Sequence, residues 1–485
     1  LAVAVVLFVL GMWNYGFPPM RMKTAAGPKA GDVETTAVAS SAGRMTIVHS
    51  NGAPEDDHKR QAEQGLMRSL FEKAHPDATI HNSTWQFSPD TFFAKSIAGT
   101  LPDVIGVFAT EATLILDKRM SADITDQVRG WKLFPQVNQR MLEPISREGR
   151  IYGLPIGGIG GFYVMTLFYN NDLFKAAGLV DADGEPVPPQ TWDDLTTYAV
   201  RLTNRERGVA GYGILGEIGG NAWHFLNYGW QAGGDFERRG PDGRWTSVFH
   251  EPPVVRALEF VKDLRWKHDV LQRNVLANND ELFQLFSSGR IAMVIFTPEY
   301  IPYLVDKYSM PYSKIGICLL PAGPGGRANQ TGGSYLLVNP RLSGTRKQRT
   351  FDSIVFPLEL EALEQQVKLL HEQGRPVGVP CIPLFKPEYQ EKINAIVDRY
   401  RNVPDLTGLM QEAVNYVRPE PPFRCQTLYD MYIGPAIQEA LVNSDADCAE
   451  ILARASRRFQ LRELDPVNED IRKSGSNPPS GEASR

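Results

Sequence analysis

A chain of 485 residues, at roughly 150 per domain, holds two or three domains and can bury a large core, which excludes a small disulfide scaffold. Its 51 Lys and Arg against 56 Asp and Glu leave a net charge of −5, so no basic excess recommends nucleic acid as a partner. The four Cys (Cys318, Cys381, Cys425, Cys448) fall in the C-terminal third without CxxC spacing and read as small buried apolar residues, with room for one disulfide.

In chain order, Leu1 to Trp13 carry no polar side chain, which matches the apolar part of a secretory signal but falls short of the ~20 residues of a membrane span. No basic region precedes it, and the Ala37-Val38-Ala39 triplet sits too far downstream for ordinary cleavage. Residues 1–44 therefore read as a signal or anchor followed by a polar spacer, and an uncleaved form would tether the chain to a membrane. Lys473 to Arg485 has no large apolar residue and reads as a disordered tail closing a 461–485 extension.

Between these ends, short apolar runs alternate with amphipathic helices. Met45 to His49 reads as a strand closing on the turn Ser50-Asn51-Gly52, and Gln61 to Ala74 as a helix burying Leu66, Met67, Leu70, Phe71 and Ala74. A strand over 79–87, a helix over 90–97 and a strand over 103–108 complete a β-α-β-α-β unit, whose right-handed crossovers predict a mostly parallel sheet. Ligands of such sheets bind beyond the strands' carboxyl ends, which points to the loops 50–53 and 109–111. Further on, Thr191-Trp192-Asp193-Asp194 forms a capping box opening a helix with Trp192, Leu195, Ala199 and Leu202 inward. A strand over 212–215, helices over 254–268 and 280–288, and a buried strand over 291–296 make a second α/β region.

The sequence lacks a phosphate-cradling GxxxxGK[ST], an HExxH metal motif and a GxSxG nucleophile elbow, so no cofactor, metal or catalytic residue is expected. Gly211 to Gly216 matches GxGxxG, but no helix opens on it and the pattern reads as incidental. Glu111, Glu217 and Glu299 could be imagined as glycosidase carboxylates, which act as a pair, yet read better as solvated or sugar-binding acids.

What the chain does carry is a series of phrases in fixed order. They run Gly99-Thr-Leu-Pro-Asp-Val104, Asp123-Ile-Thr-Asp126, Tyr152-Gly-Leu-Pro155, Phe168-Tyr-Asn-Asn-Asp-Leu-Phe174, Pro189-Gln-Thr-Trp-Asp-Asp-Leu195, then Trp223 ahead of Gly233-Gly234. Phe286 to Met293, Leu320 to Gly326 and Gly332-Gly333 follow. From Met45 to Phe459 this order resembles the bacterial extracellular solute-binding proteins of the maltose-binding type, which serve ATP-binding-cassette sugar importers.

The resemblance implies an α/β fold: a two-lobe periplasmic-binding-protein fold whose discontinuous lobes are joined by a hinge, with the ligand cleft between them. One lobe would comprise 45–154 and 332–380, the other 155–331 and 381–460, with crossings near Pro155, near Gly332-Gly333 and around Val379 to Pro387. Pro155 and the glycines at 157, 158, 160 and 161 suit a hinge on physical grounds as well, since their backbone dihedrals can change at low cost.

A sugar offers an apolar C–H face to a flat aromatic and a rim of hydroxyls to polar groups. Trp223 is the leading candidate, with Tyr163 and Tyr300 as looser matches to pocket positions of the family. Glu299 stands where the best-known maltose binder has an aromatic, which leaves the sugar's identity open. Phe108, Thr110, Glu111, Asn51, Tyr429, Gly332, Gly333 and Tyr335 complete the expected ligand-binding set. The implied function is capture of a sugar by lobe closure and delivery to a transmembrane permease, in a periplasmic or other extracytoplasmic location. A membrane-tethered sensory or scaffold protein, or a carbohydrate-active enzyme, are the alternatives.

Overall fold

The computed structural model describes residues 43–155, 162–421 and 425–474. The apolar N-terminal segment, the glycines at 157–161 and the tail beyond 474 lie outside the described residues, together with the expectations placed on them.

The first lobe is built on a five-stranded sheet in the order Ala78–Asn82, Met45–His49, Val104–Phe108, Ser334–Val338, Gly153–Pro155. Four strands run one way, and Ser334–Val338 runs against them between two neighbours. Helix His58–Ala74 makes the first crossover, capped by Asp57 accepting from the Arg60 amide, and helix Pro89–Ala98 the second, capped by Ser88 and stopped at Gly99 with φ 72°. The strand expected over 79–87 ends at Asn82, because the carbonyls of Ser83 and Trp85 turn to accept from the amides of Gly52 and Asn51 at 2.6 and 2.9 Å. Ile47, Ile105, Leu154, Tyr335 and Leu337 fill the sheet's interior.

The second lobe centres on an antiparallel sheet of Met293–Phe296, Thr166–Asn170 and Ile315–Leu319. The Thr191 capping box forms as expected: Asp194 donates its amide to the Thr191 hydroxyl at 3.1 Å and accepts from the Thr191 amide at 3.0 Å. Helix Trp192–Leu202 buries Trp192, Leu195, Ala199 and Leu202. The expected strand over 212–215 is reduced to single bridges, Tyr212 with Leu271 and Gly213 with Val294. Its glycines are explained by packing, since a Cβ on Gly211 would strike the Ala199 backbone and one on Gly216 the Val275 carbonyl. This close backbone approach accounts for the GxGxxG match without a nucleotide.

Between the lobes lies a small sheet in which Asn329–Gly332 pairs antiparallel with Tyr163–Val164 and parallel with Val417–Pro419. The third crossing is therefore at 417–419, and the expected one around 379–387 is corrected. Helix Pro387–Tyr400 turns Tyr389, Ile393, Ile396 and Val397 into the core of the first lobe, against helix Leu360–Glu372, and Val377, Ile382 and Phe385 join them. An apolar helical face of this size has to stay with the core that covers it, so 381–413 belongs with the first lobe rather than the second.

No disulfide joins any two of the four Cys, and Cys318, Cys425 and Cys448 are buried thiols. The C-terminal extension is helical as far as Ser474, and the Asn468 side-chain amide ties it to Trp245, accepting from the Trp245 amide at 2.8 Å and donating to its carbonyl at 2.9 Å.

Candidate ligand cleft

The crossing sheet lies where the chain passes between the lobes, the place expected for the base of a ligand cleft. Tyr163 is held there by its own backbone: it pairs with Gly332 across the crossing sheet, and its carbonyl accepts from the Thr331 hydroxyl at 2.7 Å. Helix Gly220–Gln231 presents Trp223 to it, and the Trp223 indole Nε1 donates to the Tyr163 hydroxyl at 3.0 Å, with the rings edge-on at 5.5 Å and 79°. Trp223 remains half-buried against the core of the second lobe while its neighbours on that helix are fully covered.

Gly332 is needed for this arrangement. A Cβ there would collide with the Tyr163 hydroxyl and lie 3.2 Å from Glu420 Oε2. Gly333 lies under the Phe162 ring, at 3.0 Å from an added Cβ, and its carbonyl accepts from the Ala109 amide at 3.0 Å. The glycine pair thus lets an aromatic and a carboxyl close over the chain where it passes between lobes.

Three carboxyls from different elements bear electrostatically on one another near this base. Glu111 comes from helix Ala109–Asp117 of the first lobe, where the Phe108 amide donates to its Oε2 at 3.2 Å. It is only 8% exposed, and burial, reinforced by Glu420 and Asp430, pushes its carboxyl up to about 8. Glu420 follows the third crossing strand and accepts from the Tyr429 hydroxyl at 3.1 Å; desolvation raises it to about 7. Asp430, in the π-helical turn Tyr429–Ile433, accepts from the Gln426 amide group at 3.1 Å and is also shifted upward by burial. Gly219 makes room for it, since a Cβ there would lie 2.8 Å from Asp430 Oδ1. Helix Cys425–Leu428 packs against helix Ala109–Asp117, which brings the acids of the two lobes together.

Of the expected residues, Tyr163, Trp223, Glu111, Tyr429, Gly332 and Gly333 gather at this point, with Phe108 supplying the amide that holds Glu111. Glu299, on the turn Pro298–Tyr300 beside Tyr163, accepts from the Thr297 hydroxyl at 3.1 Å and bears electrostatically on Tyr163. Tyr300 is half-buried and sits edge-on to Phe283, Phe296 and Tyr303, within an aromatic cluster of the second lobe. Thr110 is half-buried in the first turn of its helix. Asn51, at φ 62°, lies over Gly106 with its backbone carbonyl 3.4 Å from Arg60 and its Oδ1 buried without a hydrogen-bond partner. Tyr335 is fully enclosed in the first-lobe core, edge-on to Phe162 at 5.4 Å.

Glu420, Asp430 and Gln426 were not expected. Glu420 stands between Pro419 and Pro421, a Pro-locked stretch that signals extended backbone, but only strand pairing shows that this stretch crosses between lobes.

A family model for bacterial extracellular solute-binding proteins matches residues 56–340. Among curated relatives, the sn-glycerol-3-phosphate-binding periplasmic protein of Shigella dysenteriae is 29% identical over 160 residues, covering 30% of this chain and 33% of the relative. Its Escherichia coli K12 counterpart is 28% identical over 159 residues with the same coverage, so the chain spans about a third of the length of these relatives. Among solved structures, the GacH receptor of Streptomyces glaucescens, determined unliganded and with acarbose, superposes with TM-score 0.68 at 18% identity over 86% of this chain and 98% of that one. A maltose-bound T. maritima MalE3 gives 0.66 at 22% identity over 86% and 99%. The Mycobacterium tuberculosis UgpB complex with glycerophosphocholine gives 0.66 at 16% identity over 89% and 100%. With a two-lobe fold shared along almost the whole of these structures and a family model spanning more than half of the sequence, this chain belongs to the bacterial extracellular solute-binding protein family.

Proposed function

We propose that the protein captures a sugar or oligosaccharide between its lobes, outside the cytoplasmic membrane, and delivers it to the transmembrane permease of an ATP-binding-cassette importer. The observation that carries this reading is the Trp223–Tyr163 pair at the base of the cleft, rimmed by Glu111, Glu420 and Asp430 from both sides. The aromatic edge and face suit the C–H face of a sugar ring, and carboxyls accept from its hydroxyls. A guest touching Glu111 on one lobe and Trp223 on the other binds the closed form better than the open one, and that difference draws the lobes shut. The crossing sheet, only two to four residues wide in each strand, is the flexible element about which they would turn. Capture of this kind makes and breaks no covalent bond.

A glycerophosphate guest is the competing reading, favoured by the curated relatives. The three carboxyls argue against it as pH rises, since a phosphate beside them would oppose their ionisation and require them to keep the protons that burial already favours. Thermal-shift and calorimetric titration with neutral mono- and oligosaccharides, sn-glycerol-3-phosphate and a glycerophosphodiester separates the two. A carbohydrate that raises the melting temperature with a saturable heat supports sugar capture. A response confined to the phosphates overturns it.

A further inference from the structure

The loop and helix that lead into the third crossing touch both lobes. Residues 401–413 are fixed to the first lobe near each end. Asn402 Oδ1 accepts from the Val377 amide at 2.7 Å and its Nδ2 donates to the Arg375 carbonyl at 2.9 Å, while Met410 and Ala413 lie in the first-lobe core. Between these anchors Asp405 accepts from the Thr407 amide at 3.0 Å and from the Thr407 hydroxyl at 2.6 Å, which turns the chain into helix Thr407–Ala413. On the outer side of that turn, Pro404 and Leu406 share a small cavity with Ile301, Tyr312, Ile315 and Ile317 of the second lobe, and the helix packs on strand Ile315–Leu319. Ile301 and Ile315 belong to the aromatic-rich core of that lobe and Ile317 pairs with Phe168 in its sheet, so this wall of the seam is fixed to the second lobe.

A contact between elements anchored in different lobes exists in one arrangement of the lobes and is lost when they separate. Here it coexists with cleft walls that touch, since helix Cys425–Leu428 of the second lobe packs on helix Ala109–Asp117 of the first. The seam therefore belongs to the closed arrangement. Two features keep it loose: the cavity itself, where apolar atoms lose dispersion contact, and the Tyr312 hydroxyl, buried without a hydrogen-bond partner among the described residues. Packing of that quality biases closure without locking it.

We propose that residues 403–413 form a latch, in which Pro404 and Leu406 seat on Tyr312, Ile315 and Ile317 and favour the closed form through side chains that are not among those expected to touch the guest. This rests on the lobe closure described above and not on which guest is taken. A guest that needs the closed form binds with an apparent affinity scaled by the fraction of protein in that form, so the latch sets affinity without contacting the guest.

The test is small-angle X-ray scattering of the whole protein, without guest, in three forms. One is unchanged, one carries Leu406→Asp, and one carries Leu406→Cys with Ile317→Cys, joined by a short bismaleimide and verified by mass spectrometry of the linked peptides. The radius of gyration should be smallest in the linked protein and largest in Leu406→Asp, where a carboxylate in an apolar seam drives it open. Leu406→Ala takes the place of the acid should Leu406→Asp fold poorly. Equal radii in the linked and the Leu406-substituted proteins overturn the latch, because 403–413 would then travel with the second lobe; failure of the two cysteines to link in folded protein overturns it as well. The scattering is read without a guest, so it stands apart from the carbohydrate titrations: the expected order of radii with no response to any carbohydrate keeps the latch and removes sugar capture.

Discussion

Trp223 Nε1 donates to the Tyr163 hydroxyl at 3.0 Å, and this one hydrogen bond joins a helix of the second lobe to the strand by which the chain enters that lobe. Because the indole is half-buried and its neighbours on the helix are covered, its remaining surface is the part available to a guest.

Replacing Trp223 by Ala should therefore weaken carbohydrate binding by tenfold or more while lowering stability by only about 1–2 kcal/mol, because the ring is not closed off in the core. Tyr163→Phe keeps the ring and removes the acceptor, so it should cost about 1 kcal/mol and leave the indole free to rotate. Calorimetric affinity and chemical denaturation of each variant separate binding from folding; equal losses in both would place Trp223 in the core alone.

Gly332→Ala drives a methyl group against the Tyr163 hydroxyl and to 3.2 Å from Glu420 Oε2. Both obstacles are side-chain ends, so the lobes should still fold, at a cost of about 1–3 kcal/mol. Ligand affinity should fall further than in Tyr163→Phe, and a red shift of tryptophan emission would report the displaced indole.

Buried Glu111 binds a proton more readily when folded, at about 8, than its ordinary carboxyl range allows when unfolded. The folded state thus holds the extra proton, and its contribution to stability is present at low pH and is lost as pH rises through the folded value. His224, 5% exposed and pushed down to about 3 by desolvation, acts in the opposite sense, with stability lost as pH falls from about 6.5 toward 3. The empty protein should be most stable at mildly acidic pH. Glu111→Gln should flatten the alkaline limb, and His224→Leu the acid one, each by an amount of order a few kcal/mol in denaturation measured across pH.

Arg346 holds Asp103 by two hydrogen bonds of 2.8 and 2.7 Å and reaches the Thr46 carbonyl at 2.9 Å. Asp103 is 4% exposed and also accepts from the Val48 amide at 2.8 Å, so a residue that returns late in the chain fastens the opening strands of the first lobe. Removing the guanidinium in Arg346→Ala leaves a buried carboxylate without its charge partner and should cost about 3–5 kcal/mol. Arg346→Lys should recover only part of this, since one ammonium cannot reproduce the forked contact. Melting temperatures of the three proteins measure it.

The local periodicities settle much of the first lobe before any coordinates. Met45–His49 forms over the expected residues, helix Pro89–Ala98 extends the expected 90–97 by one residue at each end, and the Thr191 capping box buries the four side chains named from its spacing. Such features depend on contacts within a few residues, where propensity, capping and alternation act directly. The strand over 83–87 failed because its carbonyls are claimed by the Ser50–Gly52 turn, a partner about thirty residues away.

The sequence by itself determined the two-lobe α/β fold and singled out Trp223 and Tyr163 as candidates for its cleft, because ordered phrases and an aromatic ahead of a glycine pair are carried along the chain. Only the tertiary structure decided that the third crossing is at 417–419 and that Glu111, Glu420 and Asp430 come near enough to bear on one another electrostatically. The helix over 387–400 has an apolar face that either lobe could cover, and three acids more than three hundred residues apart at their extremes share no local pattern. Their meeting is a product of strand pairing across the hinge, which no spacing rule along one chain encodes.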